Sequence, residues 1–239
     1  MILDVEDMKG WRLDPLKAVA PQLRLILRSR IIRNDFKPMS RLSEPDLAKE
    51  YKVSRQPVRE AFITLEHEDL VEIRPQRGTY VKRIDANAVL NGQFVREAVE
   101  ADIICSLARD RDRDLVRDLR AQLEDQAATS RDNPAVFMEQ DEKFHRTLAR
   151  AAGVEGAWTY LEAIKAQMDR VRFFSGVEFP IETLIDQHRH IIDMIEAGNV
   201  EAAEAAMRSH LKEILKSLPK IQQLYPGHFV GDLGGVDDR

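Results

Sequence analysis

The sequence predicts a mainly α-helical protein in two parts, an N-terminal winged helix-turn-helix domain followed by an all-α antiparallel helical bundle. Three observations predict it. Apolar residues recur at three- and four-residue steps through most of the chain, which is the period of an amphipathic helix. Strand-like alternation is confined to Val71-Glu72-Ile73-Arg74 and Thr79-Tyr80-Val81-Lys82, with the turn residues Pro75-Gln76-Arg77-Gly78 between them. Charge is also divided unevenly: residues 16 to 84 hold fifteen Lys and Arg against nine Asp and Glu, a surplus of six positive charges in a chain whose net charge is −5. A basic block joined to an acidic remainder is an electrostatic footprint suited to one nucleic-acid-binding domain.

A chain of 239 residues with 44% hydrophobic content fits two modest cores better than one large one. Cys105, the single cysteine, has no internal disulfide partner, and the N-terminus lacks the basic and apolar blocks of a signal peptide. Both point to a cytoplasmic setting. No apolar run approaches the roughly 20 residues of a membrane span. The expected boundaries are an arm over 1–14, the winged domain over 15–84, the helical domain over 85–225 and a disordered tail over 226–239.

In the first domain, Leu23, Ile26, Leu27 and Ile31 define a helix that begins near Pro21 and stops near Asn34, before a proline that cannot continue it. Ser43 is placed to cap a second, short helix, with Asp46 three residues on. Tyr51-Lys52-Val53 make a turn, and Ser54 caps a third helix. Its stripe of Val58, Ala61, Phe62 and Leu65, with Leu70 beyond, turns inward and leaves Arg55, Gln56 and Arg59 outside, where they can reach base edges in a DNA major groove. In the wing, Gly78 supplies a backbone position suited to positive φ, and Arg74 and Arg77 sit where a wing meets phosphate or the minor groove. The bland alternative for these arginines is a solvated face with surface ion pairs.

Arg41-Leu42-Ser43-Glu44, Val53 to Ala61, Leu70 to Pro75 and Arg77 to Val81 together resemble the GntR-type bacterial transcriptional regulators. The resemblance spans the whole first domain. It implies that Arg55 and Arg59, with Ser54 and Gln56, contact operator DNA.

The second domain reads as helices throughout. Val89, Phe94, Ala98, Ala101 and Cys105 run down the first, with Cys105 a small buried hydrophobe. Leu115, Leu119 and Leu123 mark the second, which ends at Ser130 to Asn133. The third runs from Pro134 to Ala152 and closes at Gly153. The fourth, Glu155 to Ser175, turns Trp158, Leu161, Ile164, Met168 and Val171 inward. Helices over Ile181 to Ala197, stopped by Gly198-Asn199, and over Glu201 to about Leu218 complete the bundle.

Histidines interrupt the apolar stripes of three of these helices. Asp141 and His145 lie four residues apart along the Phe137, Phe144, Leu148 stripe. His188 falls in the row of Ile181, Leu184, Ile185, Ile191, Ile192 and Ile195, and His210 in the row of Ala203, Met207, Leu211 and Ile214. Burying a carboxylate and three imidazoles is costly unless they pair or hold a cation. One oxygen and three nitrogens suit a divalent metal with positions left for water or ligand, zinc foremost, nickel or manganese as alternatives. A satisfied core histidine is the bland reading of any one of them.

Asp141 to His145, Gln187-His188-Arg189 and Ala206 to Leu211 resemble the ligand-sensing FCD domain of the FadR-like branch of the same family. That resemblance implies that Asp141, His145, His188 and His210 hold the metal and that a small organic acid binds beside it. Arg96 matches an arginine that can face the cavity in such domains, and Arg172 is a second candidate for gripping a carboxylate. A structural ion pair is the competing role for either.

The reading that follows is a homodimeric DNA-binding transcriptional regulator, a repressor, not an enzyme. It binds near-palindromic double-stranded operator DNA, and a small carboxylate metabolite modulates it through the metal. Two alternatives stand beside it: a metal-dependent hydrolase built on the Asp/His site, and a metal-stabilised DNA-binding protein without an effector. Against the hydrolase, no motif places a separate general base, and Glu142 and Lys143 are expected to point off the inner face.

Overall fold

The computed structural model describes residues 12–129, 134–174 and 181–231. Most of the predicted arm, the helix stop at Ser130 to Asn133, Ser175, and the last eight residues of the predicted tail lie outside them. Among the described residues the chain runs α1 (Val19–Ile32), β1 (Arg41–Leu42), α2 (Glu44–Glu50), α3 (Arg55–His67), β2 (Val71–Arg74), β3 (Gly78–Val81) and β4 (Ile84–Asp85). Then come α4 (Ala86–Asp110), α5 (Arg113–Thr129), α6 (Pro134–Ala151), α7 (Glu155–Ile164) and α8 (Ala166–Phe174). The last elements are α9 (Ile181–Ala197), α10 (Val200–Leu211), α11 (Glu213–Leu224), a short 3-10 turn and β5 (Phe229–Val230). No helix among the described residues is long and apolar enough to cross a membrane.

Two compact units result, one of residues 1–89, 166–174 and 222–239, the other of 90–165 and 175–221. In the first, α1 buries Leu23, Ile26, Leu27 and Ile31, as their spacing requires, and α3 buries Val58, Ala61, Phe62 and Leu65 against them. Full burial of a side chain such as Phe62 contributes about 1.5–3 kcal/mol, so this small core holds the α1–α3 angle. Ser43 Oγ accepts from the Asp46 amide at 3.3 Å, capping α2 as predicted. Ser54 stands at the start of α3 but its side chain makes no capping bond.

The wing has three strands where the sequence predicts two. β1 pairs antiparallel with β3, and β3 with β2, in the order β1-β3-β2, with Arg41 and Glu72 both opposite Tyr80. A strand of two residues is too short for any alternation to reveal. At the β2–β3 turn Gly78 has φ +106, and a Cβ there would lie 2.8 Å from Arg41 Nε. The arginine can swing aside, so the cost of a side chain is mainly backbone strain. Gly78→Ala is expected to lower stability by about 1–2 kcal/mol, read as a drop in the urea midpoint at unchanged slope.

Two further pieces join this unit from far along the chain, and the sequence reading assigned both elsewhere. The predicted fourth helix breaks at Lys165, so that α8 separates from α7. Ala166 enters the winged-domain core, Gln167 Nε2 donates to the Asp69 carbonyl at 2.8 Å, and the buried Arg170 donates to the Lys82 carbonyl at 2.7 Å. Burial lowers the Arg170 pKa to about 10. Met168 and Val171 are buried as expected, but in this unit, whereas Ile164 is 42% exposed. Residues 226–231, read as tail, carry β5, which pairs in parallel with β4, Ile84 opposite Phe229. Two carbonyl acceptors and an unpaired strand edge are tertiary features that local propensity does not encode.

The second unit is the helical bundle. α9 packs on α5 and α10, and α6 on α5 and α7, around Leu119, Phe144, Trp158, Ile191, Ile195 and Met207. α9 has the bounds the sequence predicts, ended by Gly198 at φ +68 and followed by Asn199, whose side chain caps α10. The predicted sixth helix is two, α10 and α11, divided at Lys212. The face of α4 also differs from expectation. Phe94 is 76% exposed and Ala98 is exposed, while Gln93, Arg96 and Glu100 are buried. Val89 and Ala101 are buried as expected, but apolarity alone misplaces Phe94 and Ala98, because Arg96 and Glu100 neutralise each other at 2.5 Å and so can be buried together. Cys105 is buried, as predicted.

Candidate metal centre and nucleic-acid surface

In the bundle, α6, α9 and α10 deliver Asp141, His145, His188 and His210 to one point, and one potential ligand atom from each lies within 4.8 Å of all the others. All four are buried, none more than 4% exposed. Helix geometry does the local part: Asp141 and His145 are one turn apart on α6. The three imidazoles meet through their Nε2 atoms, His145 to His210 at 3.1 Å and His188 to His210 at 3.2 Å. Asp141 Oδ1 stands 3.5 Å from His188 Nε2 and 3.8 Å from His145 Nε2. Phe144 stacks on His188 with ring centroids 4.2 Å apart and closes one side with apolar surface.

Electrostatics favour a cation at this point. Burial, then the neighbouring His188 and His145, push His210 well below the usual imidazole range. Neutral imidazoles are the metal-binding form. Arg96 and Glu100 neutralise each other beside His145. Two facing imidazole nitrogens 3.1 Å apart repel unless a proton or a cation lies between them. Three nitrogens and one carboxylate oxygen fit zinc, nickel or manganese, and when bound the ion would supply a Lewis-acidic position for an oxygen ligand.

Around the four residues is a layer the sequence reading missed. Glu100 Oε2 lies 2.5 Å from His145 Nδ1, Gln126 Oε1 2.9 Å from His188 Nδ1, and Gln187 Oε1 3.0 Å from His210 Nδ1. The signals were present but unspecific: Glu100 is four residues from Arg96, and Gln187 adjoins His188. Glu142 was expected to point away from the interior, and it does not. Trp158 Nε1 donates to its Oε1 at 2.8 Å, and Lys165 Nζ to its Oε2 at 2.6 Å. Burial alone would raise Glu142, but Lys165 and Trp158 outweigh it and hold the carboxyl below its ordinary value. Lys143 is exposed.

The two effector candidates stand on different helices. Arg96, 6% exposed on α4, is tied to Glu100 and so sits one residue removed from His145. Arg172 is buried on α8, which belongs to the first unit.

In the winged domain, Ser54, Arg55, Gln56 and Arg59 are exposed at the start of α3. Arg59 is held by Glu44 through two bonds of 3.1 Å, and Gln56 donates to Glu60 at 3.0 Å. The hydrogen bonds Arg59 donates to Glu44, first, and then the Glu44 charge raise the Arg59 pKa. In the wing, Arg74 donates to Glu72 at 2.7 Å and lies over the Tyr80 ring, 4.7 Å from its centroid, while Arg77 is exposed at the turn. The half-buried Glu44 and the exposed Glu72 are soft partners that a phosphate can replace.

A winged helix joined to a helical bundle with a buried polar cluster defines a two-domain transcription regulator. Two family models match, "Bacterial regulatory proteins, gntR family" over residues 20–81 and "FCD domain" over residues 93–213. The chain belongs to the GntR family and carries an FCD domain. It is 38% identical over 218 residues to the HTH-type transcriptional repressor RspR of Escherichia coli K12, covering 89% of this chain and 94% of that one. An HTH-type transcriptional regulator of Streptomyces ambofaciens is 36% identical over 90% of this chain and 91% of its own. Among solved structures, E. coli McbR/YncC superposes with a TM-score of 0.72 at 15% identity, over 87% of this chain and 99% of that one, a likeness of fold.

Proposed function

We propose that this regulator represses transcription in the cytoplasm as a homodimer on near-palindromic operator DNA. Its bundle senses a small organic acid at a divalent metal held by Asp141, His145, His188 and His210. The observation that carries this reading is the meeting of those four buried ligand atoms, beside the only buried arginine of α4. Relatives that are transcription regulators support the DNA-binding half. Sensing is favoured over hydrolysis because Glu142, the acid next to Asp141, is engaged by Trp158 and Lys165 rather than turned to the cluster.

On DNA, Arg55, Gln56 and Arg59 read base edges, with Ser54 on the adjoining backbone. Arg74, Arg77 and the Gly78 turn take the wing to phosphate or the minor groove. Arg59 must exchange Glu44 for its target. An effector shifts operator affinity only by as much as it binds the free and DNA-bound conformations unequally.

The test uses the full chain, an operator obtained by selection from random duplexes, and a metal-loaded protein. Arg55→Ala is expected to cost about 1–3 kcal/mol of operator binding for a lost bidentate base contact, with non-specific binding little changed. Gel-shift titration at fixed salt measures both, and unchanged operator affinity removes Arg55 from the interface. Calorimetry with sugar acids, hydroxy acids and dicarboxylates is expected to find one class that binds only with metal present and weakens operator binding. If no acid binds, the sensing half fails.

A further inference from the structure

We propose that Glu100, Gln126 and Gln187 are positioning residues that fix the tautomer and the aim of all three histidines, so that each presents its Nε2 lone pair to the same point. The proposal rests on the metal-site reading above and goes beyond it, to residues outside the four ligands.

The argument is one of donors and acceptors. Gln126 Nε2 donates to the Gln140 carbonyl at 3.3 Å, which leaves Oε1 facing His188 Nδ1 at 2.9 Å. Gln187 Nε2 donates to Glu213 Oε2 at 2.9 Å, which leaves Oε1 facing His210 Nδ1 at 3.0 Å. Amide and carboxylate oxygens only accept, so each Nδ1 must carry the hydrogen. For His145 the support is a close charge contact rather than an aligned hydrogen bond: Glu100 Oε2 lies 2.5 Å from Nδ1, and a carboxylate oxygen there favours the hydrogen on Nδ1, while Glu100 Oε1 is held by Arg96 Nε at 2.5 Å. A neutral imidazole protonated at Nδ1 has its one lone pair on Nε2. All three lone pairs then point inward, and the amides cannot turn over without losing their own outer partners.

The three supports differ in what can replace them. Gln126 is completely buried and Glu100 is 2% exposed. Gln187 is half-buried, on the wall of a surface cleft of about 290 Å³ with Thr183, Asp186, His190, Ala206 and Ser209. His210, behind Gln187, is 4% exposed and His188 fully buried, so with Gln187 shortened water from the cleft is the expected substitute acceptor for His210, and His188 is expected to have none. Only Glu100 brings charge, which makes His145 the most electron-rich of the three.

Metal-free full-length protein is titrated with Co(II), following the visible absorption bands, for the wild type and for Glu100→Gln, Gln126→Leu and Gln187→Leu. Gln126→Leu and Glu100→Gln are expected to weaken Co(II) binding about 10–100-fold, and Gln187→Leu by less, with altered band intensity in Gln126→Leu. All three binding within twofold of wild type, with unchanged spectra, overturns the proposal. Independently of any variant, long-range proton–nitrogen NMR on metal-free wild type is expected to find His188 and His210 protonated at Nδ1. An Nδ1 of His188 or His210 that carries no proton overturns it even where a variant does not fold. Absence of Co(II) binding by the wild type defeats the metal-site reading instead, and leaves the tautomers decided by the NMR result.

Discussion

Replacing Lys165 with methionine is expected to destabilise the protein by about 3–5 kcal/mol, the cost of leaving a buried charge without its counter-ion. The Lys165 side chain is 3% exposed and that of Glu142 is 12% exposed. Methionine keeps much of the apolar stem but removes the ammonium that holds the carboxylate, and Trp158 alone cannot replace it. Adding Glu142→Gln restores most of the loss, because a neutral amide oxygen still accepts from Trp158 Nε1 while the uncompensated charge is gone. Urea unfolding followed by circular dichroism reads both effects. A single variant as stable as wild type shows that the pair is solvated and not a buried one.

Saturating the metal site is expected to stabilise the folded chain by about 4 kcal/mol at a free metal concentration a thousandfold above Kd. His188→Ala is expected to abolish that gain. His188 is fully buried, stacks on Phe144 and stands nearer to Asp141 than His145 does, so no surface group can substitute for it. The comparison is between metal-loaded and chelated protein, each unfolded in urea, for wild type and variant. Because the alanine also leaves a cavity, the informative quantity is the metal-dependent difference within each protein. A variant that keeps the full metal-dependent gain removes His188 from the ligand set.

Much of this was legible in the sequence for a local reason. The bounds of α9, the α1 and α3 stripes, the Ser43 cap and the Gly78 turn each depend on residues within a few positions of one another. Four ligand candidates could be singled out because an i, i+4 pair and two lone histidines interrupted apolar rows. Where partners lie far apart in sequence, reading by period failed. Within α4 the reason is local: Phe94 was assigned to the core but is exposed, because the i, i+4 pairing of Arg96 with Glu100 lets those two polar residues go inward. The break at Lys165 carries neither glycine nor proline, and what makes it is the capture of Ala166, Gln167 and Arg170 by the winged domain. Glu142 was turned inward by Trp158 and Lys165, sixteen and more residues away.

The sequence by itself determined the two-part architecture and which side chains share a helix face, because side-chain direction repeats with the backbone period and needs no other segment. Only the tertiary structure decided that three such faces meet at the Nε2 atoms of His145, His188 and His210, and that an acid and two amides stand behind them. Those distances join residues 22 to 65 positions apart, and a hydrogen bond between distant segments exists only once packing has brought donor and acceptor together.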